Sequence, residues 1–169
     1  LTIAPIENHP YNARWLDDFL KRHDMPLRDA MWSVFLHCQH KANLSLDRIL
    51  NWVSNDDAIR SVTDGSLYLT GIALSWFLTT PNRFIRDRAT KGLTSLFIYK
   101  PTLIIQLLKN FEQVDDIYIV ERLYAAAYGC ALHNRIESKI LKELAEYIYD
   151  KIFSSVEVPR HILLRDYAR

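Results

Sequence analysis

The chain has 169 residues, of which 49% are hydrophobic and 24% charged, the balance of a folded globular domain. Its 21 Lys and Arg against 20 Asp and Glu leave a net charge of +1, which argues against a nucleic-acid binder driven by overall charge. Two cysteines are too few for a disulfide scaffold, so we expect buried thiols in a reducing, cytoplasmic compartment. No apolar stretch reaches the roughly 20 residues that a membrane-spanning helix needs.

Apolar residues recur at helical spacing along the chain, and no segment alternates with period two, which predicts an all-α fold. Short connections separate about nine predicted helices. These cover residues 12–23, 26–40, 46–54, 67–79, 83–98, 102–112, 116–132 and 136–153, with a last one from about 160. The stripe expected to be buried in the second predicted helix consists of Leu27, Met31, Val34, Phe35 and Cys38.

The predicted helix 116–132 differs from the others because it is apolar or small on both sides. One stripe contains Ile119, Leu123 and Cys130, and the opposite side contains Ala125 and Gly129 instead of a row of charges. A helix of this kind is expected between two neighbours, and the Ala125/Gly129 spacing would let one of them approach closely.

Three predicted helices begin with related phrases, at intervals of 34 and 45 residues. The phrases are Ile85-Arg-Asp-Arg-Ala-Thr90, Ile119-Val-Glu-Arg-Leu-Tyr124 and Leu164-Arg-Asp-Tyr-Ala-Arg169. This pattern resembles the HEAT/armadillo class of α-solenoid proteins. The resemblance covers residues 66–169 and implies antiparallel helix pairs in a right-handed superhelix, with residues 1–65 as divergent repeats or a cap. We therefore expect one helical-repeat domain over 1–169, and we interpret it as a fragment of a larger protein because it starts at Leu1 rather than Met.

A narrower resemblance connects the same helical region to very large bacterial STAND-type NTPases, which include antiphage defence sensors. It depends on the phrases that begin at Ile85, Val120 and His161. It implies a sensor or signal-transmission region beside a nucleotide-binding core. The sequence contains no nucleotide-binding motif, so the resemblance assigns no functional residue.

No catalytic, metal-binding or cofactor-binding constellation stands out, and we expect no enzyme and no cofactor. His37, Cys38 and His40 are the only metal-like cluster, but no second pair of ligands has matching spacing, and Cys38 is expected in the core. Cys130 and His133 lack the third group that a nucleophilic dyad needs. The paired carboxylates at 17–18, 56–57 and 115–116 are expected to cap helices.

The candidate partner surface consists of basic and tyrosine side chains that lie off the apolar stripes. Arg83 and Lys91 point away from the stripe of their helix, and Arg86 flanks it. Tyr118 and Tyr128 are expected to line a groove between repeats, or else to cover a seam between them.

Two further arginines, Arg88 and Arg122, are expected to be structural. Arginines that flank an apolar stripe extend over the core and pair with a carboxylate of a neighbouring repeat, here Asp87, Glu121 or Asp166.

The sequence therefore favours a non-catalytic protein-interaction or scaffold segment of a larger bacterial protein. Its partner would be another protein or another domain of the same chain, and not a membrane. The alternatives are the NTPase sensor region and a nucleic-acid-binding helical array that uses Arg83, Arg86 and Lys91.

Overall fold

A computed structural model describes residues 1–41, 44–133, 136–154 and 159–169, and every regular element in these ranges is helical. The helices are α1 (Ala13–Lys21), α2 (Met25–Arg28), α3 (Val34–Lys41), α4 (Ser45–Trp52), α5 (Asp56–Arg60), α6 (Asp64–Phe77), α7 (Arg83–Tyr99), α8 (Thr102–Phe111), α9 (Ile117–Leu132), α10 (Ser138–Ile148) and α11 (Ile162–Ala168). Two π-helical turns, Asp29–Ser33 and Tyr149–Phe153, join α2 to α3 and extend α10. The predicted all-α class is confirmed.

Polar side chains placed just before the helices determine where most of them begin. The side chains that accept a hydrogen bond from a backbone N–H of the first turn belong to Asn12, Asp24, Asn55, Thr63, Asn82, Asp116 and His161. Each satisfies an amide that has no partner within the helix. The short helix α5 depends on such a cap at Asn55 and was not predicted, because five residues are too few to show an apolar period.

The helices from α4 onward, apart from the short α5, pack in two rows. Row B contains α4, α7, α9 and α11, each in contact with the next, and row A contains α6, α8 and α10. Helix α6 packs against α7, and α8 packs against α9, so that successive pairs connect the rows. Contacts near the two ends of α4, Asp47 with Arg88 and Val53 with Gly92, follow the same direction along the middle of α7, so these two row-B helices run parallel.

Helix α9 lies between α7 and α11, which confirms the expectation that it has a neighbour on both sides. Gly129 faces α7, where an added Cβ would lie 3.3 Å from the Thr94 Cγ2. On the other side of α7, Gly92 allows α4 to approach, since a Cβ there would lie 2.6 Å from the Val53 Cγ1. Small residues thus set the spacing of row B.

Helix α1 attaches to both α6 and α8 through the carboxylate of Asp17. This carboxylate accepts hydrogen bonds from the Trp76 Nε1 at 2.8 Å and the Asn110 Nδ2 at 3.0 Å, and it pairs with the Lys21 Nζ at 2.8 Å. The prediction that Asp17 caps a helix is wrong: it lies in the middle of α1 and is buried. Asp116, by contrast, caps α9 by accepting from the Tyr118 N–H.

The segment from α2 to α3 turns a different face inward than its sequence predicts. Arg28, Trp32 and Leu36 are buried. Among the residues predicted to be buried, Leu27, Val34, Phe35 and Cys38 are exposed and Met31 is half-buried. This buried face begins with Arg28, a charged residue that an apolar stripe leaves out, whose guanidinium is held inside the fold by its pair with Asp115.

No helix among the described residues is both long and apolar enough to span a bilayer.

Candidate functional site

Acidic and arginine side chains join the helices of row B near their amino ends. The Arg88 guanidinium pairs with the buried Asp47 carboxylate of α4 at 2.7 Å and donates to the Asn51 side chain at 2.6 Å. One helix further, Arg122 pairs with Asp87 of α7 at 3.2 Å. The sequence pattern suggested Asp87 as a partner but not Asp47, since α4 lies outside the region of the resemblance.

The contact between α9 and α11 uses a histidine where the others use arginine. The His161 Nε2 lies 3.4 Å from the Glu121 carboxylate, while its Nδ1 accepts a hydrogen bond from the Leu164 N–H at 3.2 Å. A neutral ring protonated at Nε2 makes both contacts, so His161 caps α11 and connects it to α9.

Exposed aromatic rings and arginines form a patch at the amino ends of α7 and α9. We call it the amino-end patch and define it as Arg83, Phe84, Arg86, Ile117 and Tyr118. The Phe84, Ile117 and Tyr118 side chains are 56%, 44% and 51% exposed. The Arg86 guanidinium carbon lies 5.6 Å from the centre of the Tyr118 ring, and its Nη1 donates to the buried Thr80 carbonyl at 2.9 Å.

The structure brings together only some of the predicted partner residues. Arg83, Arg86 and Tyr118 belong to the amino-end patch, where the Arg83 Nε pairs with Asp87 at 3.3 Å. Lys91 is exposed two turns further along α7. Tyr128 is exposed near the other end of α9, where its ring centre lies 6.2 Å from that of Tyr167 on α11. Ala125, half-buried on α9, belongs to neither group.

A second exposed apolar surface, a groove between α1 and the α2–α3 segment, was not predicted. Its cavity has a volume of about 380 Å³ and is lined by two stacked aromatic pairs. The Trp15 and Phe19 rings lie 5.4 Å apart, and those of Trp32 and Phe35 lie 5.3 Å apart. The sequence placed Phe35 in a buried stripe, and the aromatic residues shared by the two helices are the signal that could have indicated the groove.

The residues considered for metal binding and for nucleophilic chemistry do not come together in one site, and each contacts other parts of the fold. Cys38 is exposed, so the prediction of a core thiol is wrong there, while His40 faces the Asp47 carboxylate at 3.3 Å. Within the four described ranges, no three His, Cys, Asp or Glu side chains form a group suited to a metal ion. Burial raises the pKa of the Cys130 thiol to about 11, which keeps it protonated at neutral pH and unsuited to nucleophilic attack.

Several charged side chains meet at the partly buried turn between α8 and α9. The Arg28 guanidinium, 3% exposed, pairs with Asp115 and donates to the His23 carbonyl at 2.7 Å. This hydrogen bond with Arg28 lowers the pKa of the Asp115 carboxyl. Burial raises the pKa of the neighbouring Asp116, which caps α9. These groups have partners within the fold, which marks them as structural.

No protein-family model, curated protein or solved structure matches this chain. The geometry of its own residues is therefore the basis for assigning a function.

Proposed function

We propose that the chain is a non-catalytic protein-interaction segment of a larger, bacterial cytoplasmic protein, built as a HEAT-like helical array. The observation that carries this proposal is the amino-end patch, in which the Tyr118 ring is half exposed beside Arg86 and the Phe84 ring is half exposed beside Arg88, a neighbour of the patch. Tyr and Arg are the side chains most often found at the energetic centres of protein interfaces.

The arrangement of row B supports the comparison with helical arrays. Equivalent arginines, Arg88 and Arg122, each pair with an acidic residue of the preceding helix, so the same interface recurs along the row. Recurring interfaces of this kind produce a curved array. We propose that this array is the right-handed superhelix of HEAT proteins. In that superhelix, the second helices of successive pairs form one extended surface. The amino-end patch lies on that surface.

The patch favours a protein partner with an apolar and acidic binding site. The Arg86 guanidinium lies over Tyr118, and the Arg88 guanidinium carbon lies 5.3 Å from the centre of the Phe84 ring. Both arginines are therefore positioned before binding, which reduces the entropy that association must overcome. Each ring also keeps an exposed face for the partner.

The test replaces Tyr118 with a photo-crosslinking amino acid and identifies the proteins attached to it in bacterial lysate. A specific partner should crosslink at Tyr118, and Phe84→Ala should weaken its binding by about 1–3 kcal/mol. Tyr99→Ala is the matched control, because Tyr99 is 43% exposed at the opposite end of α7. Equal binding by both variants would contradict the proposal.

A nucleic-acid-binding array is the second candidate, favoured by the exposed side chains of Arg83 and Lys91. It predicts that binding to single or double strands weakens steeply as salt increases, because counterions are released from the phosphates. A mobility-shift titration at low and high salt tests this, and the absence of binding at low salt would exclude it.

A narrower proposal makes the chain the sensor or signal-transmission region of a STAND-type NTPase. It rests on the phrases that begin at Ile85, Val120 and His161 and on the array-like row they build. Partner binding to the chain should then change nucleotide hydrolysis by an attached nucleotide-binding core, whereas a plain scaffold would leave it unchanged.

A further inference from the structure

A cavity of about 610 Å³ lies between α8, α9, the extended α10 and α11. Most of its wall is apolar, and the buried apolar members of that wall are Leu108, Phe111, Leu123, Ile152 and Leu164. The cavity reaches the amino-end patch only at Ile117. Its volume lies in the range of cavities that hold small molecules in proteins.

The Tyr124 side chain brings a hydroxyl group to this cavity. Tyr124 is 4% exposed and lines the cavity from α9. Its hydroxyl forms no hydrogen bond with any described residue, and it is not among the fully enclosed atoms without a partner, all of which are arginine Nε atoms. The hydroxyl therefore opens into the cavity. Burial and the charge of Glu112 raise the pKa of Tyr124 to about 12, so the hydroxyl keeps its proton and can donate it to a ligand.

The charged groups in the cavity wall already have partners within the fold. Glu112 pairs with Lys151, and Asp115 pairs with the buried Arg28. Asp116 caps α9. An ionised ligand would therefore enter the cavity without a counterion, at a large cost in desolvation. A neutral ligand avoids this cost.

The Glu112 carboxylate provides an acceptor beside the Tyr124 hydroxyl. One of its oxygens pairs with Lys151, and the other lies 3.5 Å from the Tyr147 hydroxyl, a long hydrogen bond that leaves room for a closer donor. An ionised carboxylate has about four acceptor sites, so Glu112 can accept a further hydrogen bond. A ligand hydroxyl suits both groups, because it can accept from Tyr124 and donate to Glu112.

We propose that this cavity binds a neutral, largely apolar alcohol, whose hydroxyl lies between Tyr124 and Glu112 and whose apolar body lies against the buried wall. This site goes beyond the proposed function, because it takes a small molecule into the interior instead of a protein onto the surface. The variants that test it leave every residue of the amino-end patch unchanged, so the two proposals can fail separately.

The first experiment titrates the purified, isotope-labelled chain with cinnamyl alcohol and follows its amide resonances by NMR. The alcohol should bind with a dissociation constant below about 1 mM and should shift amides of α8, α9 and α10 around the cavity. Cinnamate and cinnamylamine have the same apolar body with a negative or a positive charge, and each should bind about tenfold more weakly or worse. Absence of alcohol binding, shifts only in other parts of the chain, or tighter binding of either ion would overturn the proposal.

The second experiment removes the Tyr124 hydroxyl and keeps the ring. Tyr124→Phe should raise the dissociation constant for cinnamyl alcohol about fivefold to tenfold, the effect of one hydrogen bond. Its midpoint of urea unfolding should stay at the wild-type value, because the hydroxyl has no partner among the described residues. Tyr128→Phe makes the same change at an exposed position one turn further along α9, outside the cavity, and should alter neither quantity.

A third variant fills the cavity from its half-buried edge. Val120→Trp should abolish alcohol binding while the amide spectrum stays that of a folded chain, since the larger side chain occupies the cavity. Unchanged alcohol binding in either Tyr124→Phe or Val120→Trp would overturn the proposal. A lower unfolding midpoint for Tyr124→Phe would also overturn it, because the hydroxyl would then have a structural partner.

Discussion

At the scale of single residues, burial and ion pairs decide which groups are chemically available. The two cysteines illustrate this, since Cys38 is exposed on α3 and Cys130 is buried in α9. The two acids of the α8–α9 turn also differ, because Arg28 lowers the pKa of Asp115 while burial raises that of Asp116. Composition alone treats the members of each pair as equivalent.

We expect one fast-reacting thiol per folded chain. Cys38 should react with a disulfide reagent at pH 8, whereas Cys130, whose pKa is about 11, should be protected because about one thiol in a thousand is ionised and the side chain is buried. Counting released chromophore in native and denatured samples should give one and two thiols. With Cys38→Ser the native count should fall to zero, and a fast second thiol in the native wild type would contradict the assignment.

Asp115→Asn should reduce the loss of stability in acid. The Asp115 carboxyl has a folded-state pKa below the usual 3.8, so its contribution is present above that pH and is lost as the pH falls through the folded-state pKa. The variant lacks this contribution, so its unfolding midpoint should be lower at neutral pH and change less below pH 3.8. Urea titrations between neutral pH and pH 2 measure both effects, with Asp57→Asn at an exposed position as the control.

At the scale of helices, the close approach of neighbouring helices in row B depends on glycines, which have no side chain. Gly92 allows α7 to lie against Val53, which is fully buried and, as a β-branched residue, cannot easily move. Gly129 is less constrained, because a Cβ there would need only a small shift of Thr94.

Gly92→Ala should destabilise the protein by about 1–2 kcal/mol, since the cost of overpacking exceeds the roughly 1 kcal/mol gained in helix propensity. Gly129→Ala makes the same chemical change on α9 and should stay within about 0.5 kcal/mol of the wild type. Urea unfolding followed by circular dichroism compares them. Adding Val53→Ala should relieve the clash, so the pair should be less destabilised than the sum of the single variants; strict additivity would contradict this explanation.

At the scale of the whole molecule, buried polar contacts hold α1 and α2 against the two rows of helices. Asp17 connects α1 to α6 and α8, and Arg28 connects α2 to the α8–α9 turn. These contacts join residues up to 93 positions apart in the chain. The aromatic groove between α1 and the α2–α3 segment exists because these contacts hold both of its walls.

Asp17→Ala should destabilise the fold by about 2–4 kcal/mol, because the Trp76 indole N–H and the Asn110 amide lose a buried acceptor. Asp18→Ala removes the same charge at the next, exposed position and should cost less than about 0.5 kcal/mol. Hydrogen exchange should show faster opening of α1 than of α9 in the Asp17 variant. Equal destabilisation by both variants would mean that Asp17 is not the residue that connects these helices.

The sequence by itself determined the all-α class, most helix positions, the cap of α9 at Asp116 and the place of α9 between two neighbours, because these depend on local chemistry and apolar spacing. It also showed the acid–arginine pairs in α7 and α9, which lie at fixed places in their helices. Only the tertiary structure decided which face of the α2–α3 segment is buried, that Asp17 joins three helices, and that Phe84 completes the amino-end patch. These depend on partners distant in the chain, which leave no periodic trace in the sequence.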